Sequence, residues 1–361
     1  MAPPRTRPLA ETLELQRQAC ARLGSDVYAE VLVGVAADVA AGRVCAAVLG
    51  PHADDPFASA LPLRFLGSVH RLVLEGRAPA LAAHYPSAGG TPGPDLVATF
   101  LSIVSDLRPE VEARLGDGVQ TNEVGRSAVL VGGYAAVARR SGGLPLRVLE
   151  LGASGGLNLR WDHYWYDTGA STLGDPDSPV RFEGVWQPQP GSPNGRLPDL
   201  GGRVDVVERA GCDRNPLDVT TEEGRLTLRS YLWPDQVERA ARLDAACALA
   251  AGVPAKVDHG DLGEWAEARL AEPAPGVATV VVHSIVWQYV APGSRDRMRA
   301  ALWRAGRRAT PDAPLAWLRF EPAGLVGDLR LTWWPGGEET VLATAEYHGV
   351  PVYWGASGGS R

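Results

Sequence analysis

Along the first 145 residues apolar side chains recur every three to four positions, the period of a helix packed on one face. Leu9, Leu13, Cys20 and Leu23 form one such series, and Ser25 stands where a cap belongs before Val27, Val31, Val35 and Val39. Leu63, Leu66, Val69 and Val73 continue the pattern, the Gly- and Pro-rich stretch 86–94 interrupts it, and 95–115 resumes it. Residues 1–145 are therefore expected to form an irregular, all-helical lobe. From Leu146 the rhythm changes. Short apolar runs at 146–151, 204–207, 226–232, 255–259, 277–283, 314–320, 329–334 and 340–354 alternate with helical stretches, and the β-branched run 277–283 reads as a central buried strand. Such alternation predicts an α/β domain over 146–361. The stretch of about 168–203, with strand-like aromatic runs near it and a Pro-, Gly- and Asn-rich tail, reads as a β-hairpin insertion.

The change of rhythm falls at Leu146–Asn158, where an apolar run ends in Glu150 and breaks into Gly152, Ser154, Gly155 and Gly156. Val148 to Leu151 as a strand, the glycines as a tight turn, and Leu157, Trp161 and Trp165 as the inner face of a following helix make a ligand-binding corner. Glycines allow a backbone to approach a ligand closely, and a helix N-terminus presents unpaired N–H groups. Spacing alone leaves four readings: a methyltransferase corner, a hydrolase nucleophile elbow Gly152-x-Ser154-x-Gly156, a dinucleotide site and a plain structural turn.

Composition narrows the surroundings. A chain of 361 residues exceeds the roughly 250–300 at which a single core stops growing, which agrees with two lobes. The net charge of -7 argues against an extended phosphate-binding surface, so nucleic acid is not an expected partner. Cys20, Cys45, Cys212 and Cys247 are scattered without a Cys-x-x-Cys pair, which predicts free thiols and no metal site. No stretch of about 18 uninterrupted apolar residues occurs, and Met-Ala-Pro-Pro-Arg-Thr-Arg-Pro lacks an apolar signal core. The expectation is a cytoplasmic monomer or homodimer with no membrane partner.

Glu150-x-Gly152-x-x-x-Gly156 resembles the first motif of class I S-adenosylmethionine-dependent methyltransferases, whose acid and glycines hold the methionine part and ribose of the cofactor. Ser154 stands where that motif has its middle glycine. An acid should end the second strand roughly 20 residues after the glycines. Excising 168–203 brings Asp213 close to that distance, and the resemblance makes it the ribose acid, with Glu208 as runner-up. Gly260-Asp261 resembles the motif whose acid accepts the adenine amino group, with Leu262 against the ring; a helix cap explains Asp261 equally well. The strand at 277–283 would end beside the transferred methyl, which makes His283 a candidate base and places Ser284, Trp287, Gln288 and Tyr289 on the substrate face. The polar stretch 120–127 precedes an apolar helix: Thr121 or Asn122 reads as its cap, or Asn122, Glu123 and Arg126 face the substrate, Glu123 receiving an amine and Arg126 a carboxylate. Glu123 and His283 are thus the catalytic candidates. Trp161, Tyr164, Trp233, Trp287 and Tyr289 offer an aromatic wall, although core packing accounts for the same residues.

Taken together, 120–127, 150–159, 211–218, 233–236 and 283–289 resemble a bacterial family, domain-of-unknown-function family 2332, over nearly the whole chain. The methyltransferase-like motifs imply a Rossmann-like class I methyltransferase sheet with an N-terminal all-helical lobe and a β-hairpin insertion. They also imply S-adenosylmethionine as cofactor, no metal, and methyl transfer to an O or N nucleophile of a small molecule. Two other readings stay open: an S-adenosylmethionine-binding protein without turnover, and a Ser154 hydrolase, for which Asp312 and His348 keep a Ser-Asp-His order.

Overall fold

The structure, a computed structural model, describes residues 7–56, 59–189 and 195–355. Residues 1–6, in the terminus read for a signal core, and 190–194, in the expected insertion, lie outside the described residues. Among the described residues eight α-helices precede any strand, the first seven being α1 (Leu9–Arg22), α2 (Asp26–Ala40), α3 (Val44–Leu49), α4 (Leu61–Leu74), α5 (Pro79–Ala82), α6 (Leu96–Asp106) and α7 (Arg108–Arg114). Helix α8 (Arg126–Arg140) leads into β1 (Leu146–Leu151). Four short strands follow, β2 (Trp165–Asp167), β3 (Thr172–Gly174), β4 (Arg181–Glu183) and β5 (Trp186–Pro188), then β6 (Val206–Asp213), α9 (Glu222–Ser230), α10 (Val237–Ala250), β7 (Lys256–His259) and α11 (Leu262–Arg269). The chain closes with β8 (Ala278–Ser284), α12 (Pro292–Gly306), β9 (Leu315–Ala323), β10 (Val326–Trp334), β11 (Glu338–Ala345) and β12 (Val352–Trp354).

Two compact units emerge, and they do not divide at 145/146. One holds residues up to Thr121 together with Thr221–Ala241; the other holds Asn122–Thr220 and everything from Arg242 onward. The first is helical around Val31, Leu32, Phe65, Leu66, Leu72 and Phe100, all fully buried, and Trp233 belongs to this core. The apolar alternation at 226–232 is not a strand. Thr221 accepts the N–H of Gly224 at 3.1 Å, and Glu222 and Glu223 occupy the favourable first turn, so the stretch forms α9. Ser25 caps α2 as its position predicts, its hydroxyl accepting the Tyr28 N–H, and Asp235 completes the cap: its carboxylate accepts Ser25 Oγ at 2.6 Å and the Val27 N–H at 3.0 Å.

The second unit is built on a nine-stranded sheet of order β5-β12-β11-β10-β9-β8-β1-β6-β7. Strands β7, β6, β1, β8 and β9 are parallel, β9 to β12 form an antiparallel meander, and β5 lies parallel to β12 at the edge. Strand β8 is buried at every position, as its unbroken β-branched sequence requires. Helices α11 and α12 pack Leu262, Ala266, Met298 and Leu302 against Leu149, Leu151, Val281 and Trp317 on one face. Leu318, next along β9, points to the other face, where α8 approaches so closely that a Cβ on Gly133 would stand 2.5 Å from it. The insertion is more than a hairpin: β2 and β3 form one across residues 168–171, β4 adds parallel to β2 to complete a separate three-stranded sheet, and β5 joins the main one. Among the described residues no single helix is long and apolar enough to cross a membrane.

Candidate functional site

From β1 the chain builds outward through β6 and β7, then returns to the other side of β1 with β8 and β9. In an open α/β sheet the crevice outside the carboxyl ends of the strands at such a reversal is the preferred ligand position. Here it lies between the ends of β1 and β8. Both chain segments leaving it are conformationally unusual. Ser154 has φ 50° and Ile285, the first residue after β8, has φ 49°; among the described residues Ala60 is the one other non-glycine in this region. A left-handed backbone is rare for any side chain and an outlier for a β-branched one, at a cost of roughly 1–3 kcal/mol each. Two such residues stand on one crevice, which makes it the candidate site.

The glycine turn is closed on the protein's own groups. Gly152 and Ala153 donate to Cys212 O at 2.8 and 3.2 Å, Ser154 N to Asp213 Oδ2 at 2.9 Å, Gly156 N to Ala153 O at 2.7 Å, and Leu157 N to Asn122 Oδ1 at 2.8 Å. Gly152 is needed because Val286 Cγ2 sits 2.4 Å from where its Cβ would be. The expected helix after the turn is only a 3-10 segment, Leu157–His163. Tyr164 Oη donates to Leu157 O at 2.6 Å and Tyr166 Oη to Trp161 O at 2.9 Å, occupying carbonyls that an α-helix would use, and Trp165 lies in β2.

Asn122, Glu123 and Arg126 belong to the same unit as the sheet and brace the corner. Glu123 Oε1 accepts the Gly125 N–H at 2.9 Å, and Asn158 bridges Glu123 O (3.2 Å) and Ser127 Oγ (2.7 Å). Arg126 donates to Ser284 O and Tyr347 O, joining the end of β8 to the turn after β11. Glu123 and Asn122 are buried, at 5% and 8% exposure, so both act here as internal hydrogen-bonding groups.

The acids fall as the strand order requires. Glu150, 3% exposed, has an Oε2 with no hydrogen-bond partner; burial, reinforced by the like charge of Asp213, pushes its carboxyl up to about 8. Asp213 ends β6, half-buried, and each of its oxygens takes one backbone N–H, from Ser154 and from Asn215. Glu208, the runner-up, is spent on ion pairs with Arg147 and Arg269. Asp261 caps α11 through Oδ1, which accepts Gly263 N, Glu264 N and Ser294 Oγ; burial opposes ionisation, but these bonds hold its carboxyl below the usual range. The Leu262 side chain is in the core.

His283 is buried with both ring nitrogens engaged: Nδ1 contacts Glu321 Oε1 at 2.7 Å and Nε2 accepts the Trp317 indole N–H at 3.0 Å. An indole only donates, which fixes the neutral Nδ1–H tautomer and leaves no nitrogen for the expected base role. Trp287 stacks on this imidazole at 5.3 Å. Tyr289 is 43% exposed and Gln288 is exposed, so these two, with the partly exposed Trp287, are the members of the substrate-face group that meet solvent. The remaining aromatics are core residues: Trp161 stacks on Tyr134 at 4.1 Å, Tyr164 is fully buried, and Trp233 packs in the helical unit. Asp312 lies at the opposite, amino edge, where its carbonyl accepts Gly276 N just ahead of β8, so it cannot complete a triad with Ser154.

Three residues escaped the sequence reading. Asn158 joins α8's approach to the corner, and the Arg160 guanidinium binds Val253 O, Gly155 O and Gly156 O, its pKa lowered by burial. Glu321 holds His283 Nδ1, Val286 N and Trp287 N with one carboxylate. A polar residue between apolar ones was the available signal for Asn158 and Arg160, and an acid near a strand end for Glu321. Neither a curated protein nor a solved structure matches the chain. A family model described as an uncharacterized protein conserved in bacteria (DUF2332) matches residues 10–354, and the chain therefore belongs to that family.

Proposed function

We propose that the carboxyl edge of the sheet binds S-adenosylmethionine and that the protein methylates an O or N nucleophile of a small molecule. The observation that carries this reading is a coincidence in space: the strand order reverses where Ser154 and Ile285 adopt left-handed backbone and where Glu150 and Asp213 face each other. The acids suit such a cofactor. A carboxylate can accept about four hydrogen bonds, and Asp213 uses two on backbone N–H groups, leaving capacity for both ribose hydroxyls. Glu150 Oε2, buried and unpartnered, suits a donor from the methionine part. Asp261 commits Oδ1 to its helix, which leaves Oδ2 for the adenine amino group. The glycine turn does not fit the part of a fully open N–H cradle, because the amides of Gly152, Ala153, Ser154, Gly156 and Leu157 bond within the chain.

When bound, the cofactor supplies an electrophilic methyl group on a sulfonium. The chain's contribution is alignment, with the exposed Gln288 and Tyr289 offered to the acceptor and Glu321 fixing the segment that carries them. The test is a melting series with S-adenosylhomocysteine. Saturation at about 100 times Kd adds roughly 2.7 kcal/mol. An unchanged midpoint at millimolar ligand sinks the proposal. Turnover with candidate acceptors then separates an enzyme from a binding protein. The Ser154 hydrolase reading draws support from the left-handed turn alone, and a serine-directed phosphonate that leaves Ser154 unlabelled removes it.

A further inference from the structure

Glu150 stands opposite Gly211 in the β1–β6 register, so Asp213 is two positions further along the neighbouring strand at the same edge. The other ionisable groups that interact with Glu150 are Arg126 and Tyr134 from α8, Arg160 in the middle of the 3-10 segment and Tyr164 directly after it. Both guanidiniums hydrogen-bond to backbone carbonyls, Arg126 to Ser284 O and Tyr347 O, Arg160 to Val253 O, Gly155 O and Gly156 O. Both act on Glu150 through their charge and favour its ionised form, yet its Oε2 takes no hydrogen bond; burial raises both phenols so that they stay neutral. The guanidiniums keep their charge but direct their hydrogen bonds to carbonyls, so the Glu150–Asp213 pair retains a buried acid oxygen with no hydrogen-bond partner, an arrangement that calls for explanation in a native structure.

We infer that the ligand of this crevice carries a positively charged group that settles against the Glu150–Asp213 pair and displaces a proton from it. This rests on the cofactor reading above and adds a charge requirement to it. The step balances simply: Glu150 passes from carboxylic acid to carboxylate, its proton goes to the buffer, and the ligand's cation replaces the proton's charge. Burial and Asp213 keep the acid protonated at neutral pH, and a cation at contact distance reverses that preference.

Calorimetric titration at pH 7 in two buffers of different ionisation enthalpy measures the protons released. The probes are S-adenosylmethionine and S-adenosylhomocysteine, which carry an ammonium, and adenosine, which carries no cation. Release approaching one proton is expected with the first two and none with adenosine. Glu150→Gln, which preserves shape, should abolish the release. In the parent, Kd for the cationic probes should fall up to about tenfold per pH unit below pH 8 and level off above it. Cationic probes that bind without proton release, or a release unchanged in Glu150→Gln, overturn the inference and leave the cofactor reading standing. If none of the three binds, both fall together.

Discussion

Removing the Glu321 carboxylate should unpin the segment after β8. In Glu321→Ala three groups lose their acceptor: His283 Nδ1 at 2.7 Å, Val286 N at 3.1 Å and Trp287 N at 3.3 Å. The two amides belong to partly exposed residues and can recruit water. His283, 1% exposed, cannot, and a buried donor left unsatisfied costs roughly 1–3 kcal/mol. Adding the smaller loss at the amides gives about 3 kcal/mol. At 2–4 °C per kcal/mol for a unit of this size, that is a fall in Tm of about 6–12 °C. Glu321→Gln keeps a carbonyl acceptor and should lose only about 1 kcal/mol. Thermal unfolding followed by tryptophan fluorescence is the assay, since Trp287 and Trp317 both lie against the His283 ring. An alanine variant melting within about 2 °C of the parent would show that Glu321 does not hold this segment.

Other residues give independent checks. Because Glu150 has a folded pKa near 8 against an ordinary 4.5, the stability it contributes is complete below about pH 4.5 and is lost as pH rises to 8, at up to about 1.4 kcal/mol per unit. Glu150→Gln should therefore flatten the fall in Tm between pH 5 and 8 and melt above the parent at pH 8; parallel profiles refute this. Asp213→Ala should weaken S-adenosylhomocysteine binding roughly tenfold to a hundredfold, the worth of a charged acceptor, and equal affinity by calorimetry would mean the ribose acid is elsewhere. Asp235→Ala leaves the Ser25 cap of α2 in place but removes the acceptor of the Val27 N–H and of Ser25 Oγ, and should lower stability by about 1 kcal/mol in urea unfolding, whereas an unmoved midpoint denies Asp235 a part in the cap.

Periodicity was a good guide wherever the deciding interactions are local. The switch from helical to strand spacing at Leu146, the central place of 277–283 and the late antiparallel strands all follow from which side chains must be buried. The misreadings share one cause, a partner far along the chain or a competing local bond. Leu226, Leu228 and Leu232 alternate as in a strand, but Thr221 and two glutamates start a helix there. The helix after the glycine turn stops because Tyr164 and Tyr166 take its carbonyls. Within the site, residue types at strand ends were legible, since Glu150 and Asp213 stand on neighbouring strands. What each polar atom does was not, because His283 looks like a base until Trp317 and Glu321 are seen to occupy its ring.

The bracing of the glycine turn bears on how this region opens. Ser154 N is held from 59 residues away by Asp213 and Leu157 N from 35 residues away by Asn122, while Asn158 ties the segment back to Glu123 and Ser127. These amides cannot reach solvent one at a time. The turn, the approach to α8 and the end of β6 should therefore behave as one cooperative unit in amide hydrogen exchange, opening together at a shared free energy instead of fraying as a surface loop does.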